Sequence, residues 1–584
     1  MESIDSLSKR WLELDKNETT RKEIADLIAA KDVAALEGRL RHRIAFGTAG
    51  LRSSMKAGFA HMNDVTVLLA SQGLAQYILN QHAALANRSS EAPKVVIGYD
   101  ARYNSERFAR LAAAAFLAKG FEVLWFGELV HTPMVPFSVS HYRAAAGVMV
   151  TASHNPKNDN GYKVYWSNGC QIIPPHDIGI AKEIDAEQSI ITWDATLVDS
   201  DPRVHRIVRE ASQAYFSCIR RLVSELPAVD GSLVYTYTPM HGVGLPFMKQ
   251  AAHIVSQEDG LQIVDAQADS DPEFRTVPFP NPEEKGALDM AKAKADQAGC
   301  SLILANDPDA DRFAAAERLT SGEWHQFTGN QMGVLLASYV LESHTGDRTQ
   351  LAMLASTVSS RMLATIAKKE GFHFVETLTG FKWLGNVAQN LREQGLSPVF
   401  AYEEAIGYMF PTVVWDKDGI AAAAMFLKAC AHWKQQGRTP WQRLQALYEK
   451  YGYFEDANTY LISPSPTVTN KAFNDIRMLH RGARPERIGE HKILRWRDLT
   501  IGYDSSTPDN QPNLPIDASA QMITCELENV VFTVRGSGTE PKIKIYIEAS
   551  LASSVAAKAL AAEVLGDLLR EWFRPEYGLR LAGT

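Results

Sequence analysis

Short apolar runs and stretches of helical period take turns along this chain. Residues 1–40 alternate charged and apolar positions at helical spacing, which predicts a helical N-terminal extension. Asn63 or Asp64 then heads a helix through Leu79, with Leu68, Leu69, Leu74, Tyr77 and Ile78 as its apolar positions. Lys94–Tyr99 and Phe121–Phe126 read as strands. Between them Phe108, Leu111, Ala112, Ala115 and Phe116 share one helical face, with Ser105 as the cap and Gly120 as the stop. Ala145–Val150 is short and wholly apolar, the pattern of a fully buried strand, and strand-like Tyr162–Trp166 follows it. This β-α-β alternation predicts a parallel or mixed sheet flanked by helices.

The pattern restarts twice. Strand Leu233–Tyr237 is followed by a helix, then by helix Ala287–Ala298, strand Ser301–Ala305 and the loop Asn306–Arg312. A third module holds helix Gln331–Leu341 and strands near Leu351–Ala355, Phe372–Val375 and Val399–Tyr402. From about Trp441 the texture changes to helix Trp441–Lys450, short strands, a polar loop at Ser505–Pro515 and a final amphipathic helix, Val555–Trp572. Val530–Val534 and Lys542–Ile547 alternate with period two across a link too short for a parallel crossover, so they are predicted to be antiparallel. The expected fold is α/β: three similar modules with mixed sheets and a smaller C-terminal α+β domain. The expected boundaries are 1–212, 213–326, 327–450 and 451–584.

Composition narrows the function classes. The chain has 584 residues, 46% apolar and 22% charged, ordinary for a globular protein with ample core. A formal net charge of −8 argues against a nucleic-acid or basic membrane-surface protein, so any bound phosphate must be held by local cations. The five cysteines are widely spaced and include no C-x-x-C pair, which argues against a disulfide scaffold or a zinc site. The N-terminal residues hold no apolar signal core, and no run approaches the ~18 apolar residues of a membrane helix. The expectation is a cytoplasmic protein.

Five stretches carry candidate chemistry. Thr151-Ala152-Ser153-His154-Asn155-Pro156 leaves the carboxyl end of a buried strand, where open α/β sheets place their ligands. Its composition is equally that of a surface turn. A protease-like pairing fails, because sequence neighbours in extended chain point to opposite faces and His154 would turn away from Ser153. Asp307-Pro308-Asp309-Ala310-Asp311-Arg312 also follows an apolar strand. Three carboxylates this close repel unless a cation lies between them, and hard oxygen ligands suit Mg²⁺. An EF-hand is excluded by Arg312 at its sixth position and Arg318 at its twelfth. Arg535-Gly536-Ser537-Gly538-Thr539-Glu540-Pro541-Lys542 combines a guanidinium, glycine amides, hydroxyls and a lysine, the makings of a phosphate cradle or of a plain hairpin loop. Glu403-Glu404 could bind sugar hydroxyls or be an exposed pair, and Thr379-Gly380-Phe381-Lys382-Trp383 sets a cation beside aromatics.

Thr151–Pro156, Asp307–Arg312, Glu403-Glu404-Ala405-Ile406-Gly407 and Arg535–Pro541, in that order along the chain, resemble the α-D-phosphohexomutases over roughly residues 40–575. Phe46–Arg52, Gly98–Arg102, Asn160–Trp166 and Thr379–Trp383 are most similar to the type-2 phosphoglucomutase/phosphopentomutase branch. The resemblance implies an active-site cleft between the four domains and an isomerase acting on small phosphosugars. Ribose or deoxyribose 1-phosphate would be interconverted with the 5-phosphate, and glucose 1-phosphate with the 6-phosphate. Ser153 would carry a phosphoryl group, and a sugar 1,6-bisphosphate would serve as intermediate and activator. One Mg²⁺ would be held by phosphorylated Ser153 with Asp307, Asp309 and Asp311. Arg52, His154, Lys163 and Arg312 would line the reaction centre, with Lys163 the first candidate for proton transfer. Glu403 would hold sugar hydroxyls, and Thr379, Gly380, Lys382 and Arg312 would also bind substrate. Arg535, Ser537, Gly538, Thr539 and Lys542 would hold the phosphate that is not reacting. The protein would be a monomer or weak oligomer. Many hexose-specific relatives have Gly-Glu-Glu-Ser or Gly-Glu-Met-Ser where this chain has Tyr402-Glu403-Glu404-Ala405, so strict glucose specificity is not expected. A sugar-bisphosphate synthase is the alternative enzyme, and a non-catalytic sugar-phosphate binder the third reading.

Overall fold

Three N-terminal helices, Ile4–Leu14, Glu18–Ala29 and Val33–Leu40, form where the charge alternation predicts a helical extension. Each is capped by its own sequence, with the side chains of Ser3, Asn17 and Asp32 accepting backbone N–H groups. Trp11, Ile24, Leu36 and Leu40 bury their apolar faces against Phe59 and Val65. The computed structural model describes residues 2–47, 50–84, 91–224, 226, 231–536 and 541–582. Residues 1–354 and 380–440 form one compact unit, and 355–379 with 441–584 a second.

The first unit holds two complete mixed sheets. One has the order Gly50–Ser54, Asp159–Trp166, Ala146–Val150, Lys94–Tyr99, Glu122–Trp125, Val204–Arg206. Lys94–Tyr99 and Ala146–Val150 are parallel, in register from Val95 opposite Ala146 to Tyr99 opposite Val150. Their carboxyl ends therefore finish side by side, and the loops beginning at Asp100 and Thr151 start as neighbours. In the second sheet Tyr235–Thr238 runs parallel to Leu302–Asn306, and Phe313–Arg318 returns antiparallel with Phe313 opposite Asn306. The aspartate loop is thus a hairpin connection. Ser397–Glu403 pairs antiparallel with Gly407–Met409, Glu403 opposite Gly407, so residues 404–406 make a tight turn.

The second unit is built on an eight-stranded sheet covered by helix Ser554–Glu571. Val530–Gly536 and Lys542–Leu551 pair antiparallel there, as the short link requires. Ile523, Phe532, Val534, Ile545 and Ile547 meet Val564, Leu568 and Trp572 in its core.

Several helices have no counterpart among the predicted elements, Gly419–Gln435 and Val208–Ser224 being the longest of them. Gly419–Gln435 is buried at thirteen positions on all sides, which leaves no polar face to set a period. Val208–Ser224 buries Ala211, Tyr215, Phe216, Ile219, Leu222 and Val223, a helical spacing the sequence does carry. Ser105 is not a cap. Asn104, at φ 62°, precedes the helix without a side-chain cap bond, and the Ser105 hydroxyl donates to Asp100 instead.

Candidate active site

The Ser153 loop is held by a buried carboxylate. Asp100 accepts from the hydroxyls of Ser105 and Thr151, both at 2.6 Å, and from the Arg102 amide at 3.0 Å. Thr151 Oγ1 in turn accepts the Ser153 N–H at 2.9 Å. The Arg102 guanidinium, only 4% of the residue exposed, pairs with Asp100 and donates to the carbonyls of Ser153, Asn155 and Pro156. One arginine thus ties down most of the turn. Its signal in the sequence is Asp100-Ala101-Arg102 at a strand's carboxyl end, the same topological place as Ser153.

This anchoring overturns the expected separation of Ser153 and His154. Ser153 has φ 52°, in the left-handed region, so the chain is not extended there and neighbours need not diverge. His154 Nδ1 lies 3.3 Å from Ser153 Oγ. Burial, followed by Arg312 and Arg52, pushes the imidazole well below its usual range and keeps it neutral.

Ser153 Oγ donates to Asp307 Oδ2 at 2.7 Å, which joins the serine loop to the aspartate loop. Asp307, Asp309 and Asp311 are all fully buried, and their carboxylate oxygens cluster closely enough to hold a metal ion. Lys163 Nζ bonds Asp309 Oδ2 and Asp311 Oδ2, each at 2.7 Å, and Lys417 Nζ lies 3.1 Å from Asp311 Oδ2. The other oxygens, Asp309 Oδ1 and Asp311 Oδ1, are buried with no hydrogen-bond partner. Orphaned anionic oxygens are costly in a protein interior, and a hard divalent cation would satisfy both. Burial and the two neighbouring carboxylates raise Asp307 well above the carboxylate range. Burial would raise Asp309 too, but Lys163 and Thr132 outweigh it and hold the group far below its ordinary value.

Backbone packing fixes the loop's shape. Ala310 sits at φ 50°. A Cβ on Gly242 would lie 2.3 Å from the Pro308 backbone, and one on Gly419 would lie 2.3 Å from the Arg312 carbonyl. Thr132 donates to Asp309 Oδ2 at 2.5 Å, and its amide donates to the Asp309 carbonyl at 2.9 Å.

The structure therefore brings Ser153, His154, Lys163, Asp307, Asp309 and Asp311 into direct contact. Arg312 donates its amide to Asp307 Oδ1 at 3.0 Å, and exposed Arg52 reaches Asn155 at 3.3 Å. Sequence reasoning did not single out Lys417 and Thr132. Lys417 lies in Asp416-Lys417-Asp418, just before a long apolar helix, a charged cluster that could have flagged it.

Glu403 accepts the Gly380 amide at 2.5 Å, at the start of helix Phe381–Glu393. Burial and Glu404 raise its carboxyl to about 7 against the pull of that amide and of Lys417. Lys382 stacks over Trp383, 5.7 Å from its ring centroid. Tyr402 points away from this turn into the core, fully buried against Gly333 and stacked on Phe400. Within the second unit, Arg535 donates to Thr379 Oγ1 at 2.6 Å and Lys542 lies over the Tyr460 ring. Ser537, Gly538 and Thr539 fall outside the described residues.

Three models of the phosphoglucomutase/phosphomannomutase family match the chain: α/β/α domain I over residues 43–190, domain II over 213–320 and domain III over 328–451. The Saccharomyces cerevisiae phosphoribomutase is 45% identical, with 97% of this chain and 96% of that protein covered. The human phosphopentomutase is 43% identical over 93% of this chain and 91% of its own length. The human glucose 1,6-bisphosphate synthase is 39% identical over 97% and 93%. Among solved structures, Paramecium parafusin, a phosphoglucomutase in an open form, superimposes with a TM-score of 0.64 at 20% identity, covering 91% of this chain and 96% of that one.

Proposed function

Since the chain belongs to the phosphoglucomutase/phosphomannomutase family, we propose that it is a phosphosugar mutase working through a phosphorylated Ser153. It interconverts pentose 1- and 5-phosphates and also accepts glucose 1- and 6-phosphates. The single observation that carries this reading is the Ser153 hydroxyl hydrogen-bonded into a buried carboxylate cluster with two unsatisfied oxygens. That is a place for a phosphoryl group and a divalent cation together.

Asp307, Asp309 and Asp311 would hold Mg²⁺ with a phosphoserine oxygen. When bound, it neutralises charge on the transferring group. The other parts act through the chain's own atoms. Arg102 and Thr151 hold the serine turn rigid, so Oγ and the incoming hydroxyl are aligned without further ordering. In the forward half the Ser153 O–P bond breaks, a sugar O–P bond forms, and the hydroxyl's proton leaves to a base. Lys163, our candidate, takes it only after giving up one of the protons that bond it to Asp309 and Asp311. The resulting bisphosphate turns over and returns its other phosphoryl group to Ser153. Neutral His154 stays within reach of Oγ as a hydrogen-bond partner. Glu403 accepts from sugar hydroxyls, and Arg535 and Lys542 bind phosphate. The five cysteines are free, which accords with a cytoplasmic location.

Pentose use is favoured by Ala405, which offers no hydroxyl to a hexose, and by the higher identity to pentose-named relatives than to the synthase. The test is phosphopeptide mapping after exposure to a sugar bisphosphate. Phosphate is expected on Ser153, with Ser153→Ala inactive. Turnover with phosphate only elsewhere would overturn the assignment.

A further inference from the structure

An irregular loop of the second module runs beside the serine turn, and no role considered above includes it. Residues 271–288 form no strand or helix, yet they are pinned along their length. Glu273 accepts from Lys157 at 2.8 Å and from the Tyr103 hydroxyl at 2.5 Å. The Phe274 ring lies under the Arg102 guanidinium at 4.9 Å. Thr276 bonds His241 and Gln267, each at 2.8 Å, and the Pro282 carbonyl accepts from Gln326 at 2.7 Å.

Between these anchors the sequence reads Pro278-Phe279-Pro280-Asn281-Pro282. Three alternating prolines fix φ at every second residue and leave the loop little freedom to lose. Pro280, Asn281 and Pro282 are buried, but the Phe279 side chain is not: the residue is 39% exposed. Its ring meets the His154 imidazole edge-on, with centroids 6.3 Å apart and planes at 72°. A lone exposed phenylalanine is unremarkable on a mobile surface. This one is held on a stiffened loop, one side chain away from the group that touches Ser153 Oγ.

We propose that Phe279 is a substrate-contact residue, an aromatic platform for the apolar C–H face of the sugar ring. The inference rests on the phosphosugar-mutase reading and deepens it. A mutase must hold its sugar in two orientations, one for each phosphoryl transfer. Hydrogen bonds to particular hydroxyls change partners when the bisphosphate turns over. An apolar contact is non-directional and serves both orientations, and a rigid ring costs little entropy to offer it. It also serves pentose and hexose alike.

The experiment is steady-state kinetics of the full-length enzyme with Mg²⁺, on ribose 1-phosphate and glucose 1-phosphate, for Phe279→Ala, Phe279→Leu and Phe279→Tyr. Phe279→Ala is expected to raise KM by about 2- to 12-fold for both sugars, the worth of one aromatic contact. Phe279→Leu should fall between, and Phe279→Tyr should restore KM, all with unchanged melting temperature. Phosphate on Ser153 of the wild type and of Phe279→Ala is mapped in parallel. If the wild type takes phosphate on Ser153 and Phe279→Ala leaves KM unchanged, this inference alone is overturned. A fall in kcat at constant KM overturns it as well, because the ring would then only orient His154. Wild-type enzyme that turns over without phosphate on Ser153 removes the mutase reading and this inference with it.

Discussion

Glu403 shows how one residue's environment sets when it works. Its carboxyl is raised to about 7 by burial and by Glu404, against an ordinary value of 4.5. Between those two values the folded protein holds the group protonated while the unfolded chain ionises it. Its contribution to stability is therefore full below about 4.5 and lost as pH rises through about 7. In the proposed function the dependence runs the other way, since the ionised form is the stronger acceptor for the sugar hydroxyls that Glu403 would hold. We expect kcat/KM to rise through pH about 7 on a limb that Glu403→Gln removes. Above that pH the variant should lose roughly 10- to 150-fold, the worth of hydrogen bonds to a charged group. The pH–rate profiles of both proteins decide it, and a limb that survives in the variant belongs to another residue. Ser153 makes a further point at this scale: a single left-handed residue reverses the side-chain geometry expected of extended chain.

At the scale of elements, the aspartate hairpin depends on glycines that lie far from it in sequence. Gly419 begins the helix Gly419–Gln435, and its amide donates to the Ala310 carbonyl at 3.2 Å. Gly419→Ala would drive a methyl group to 2.5 Å from Asn306 Nδ2, so the hairpin must shift. Displacing the support of metal ligands typically costs 10- to 100-fold in affinity, and about that rise in the Mg²⁺ concentration for half-maximal activity is expected. Titration with Mg²⁺ measures it; an unchanged midpoint would mean the helix start yields instead. The Glu403–Gly407 turn carries the specificity prediction. Ala405→Ser adds a donor/acceptor that a hexose can use more fully than a pentose. The kcat/KM ratio of glucose 1-phosphate to ribose 1-phosphate should rise roughly 2- to 12-fold. Tyr402 is locked in the core, so the change should not propagate through its ring. Kinetics on both substrates check it, and a ratio that stays level or falls places the discrimination elsewhere.

At the scale of the whole molecule, residues 355–379 group with 441–584 in the second compact unit. Inside that unit Glu376 receives both terminal nitrogens of Arg497, each at 2.9 Å, and Arg497 is only 2% exposed. Burial alone would raise Glu376, but Arg497 and Arg361 hold it at about 2. The depressed value means the pair's contribution is fully present above about 4.5 and is lost as pH falls towards about 2. Glu376→Gln leaves a buried guanidinium without its counter-charge and should destabilise this unit by about 3 kcal/mol at neutral pH. Calorimetry at pH 7 and at low pH tests this: the variant and wild type should converge in acid. A constant difference would show the loss to be one of packing.

Periodicity sufficed for the strands around Ser153 and the aspartates, because buried runs of four to six apolar residues need no partner to be recognised. The four motifs in order sufficed for the family, and the Phe46–Arg52 and Thr379–Trp383 details for the branch. Tertiary structure alone decided which charges meet. Lys163 and Lys417 are separated from Asp311 by more than a hundred residues, yet both reach one carboxylate, because sheet order and not sequence distance sets neighbours. Arg102 became the clamp of the serine turn only because two parallel strands end in register. Helix Gly419–Gln435 left no period to read, since a helix buried on every side carries no polar face. Phe279 carried no signal at all in its own stretch. Its place beside His154 follows from where one module's loop lies against another module's turn, a contact between residues more than a hundred positions apart.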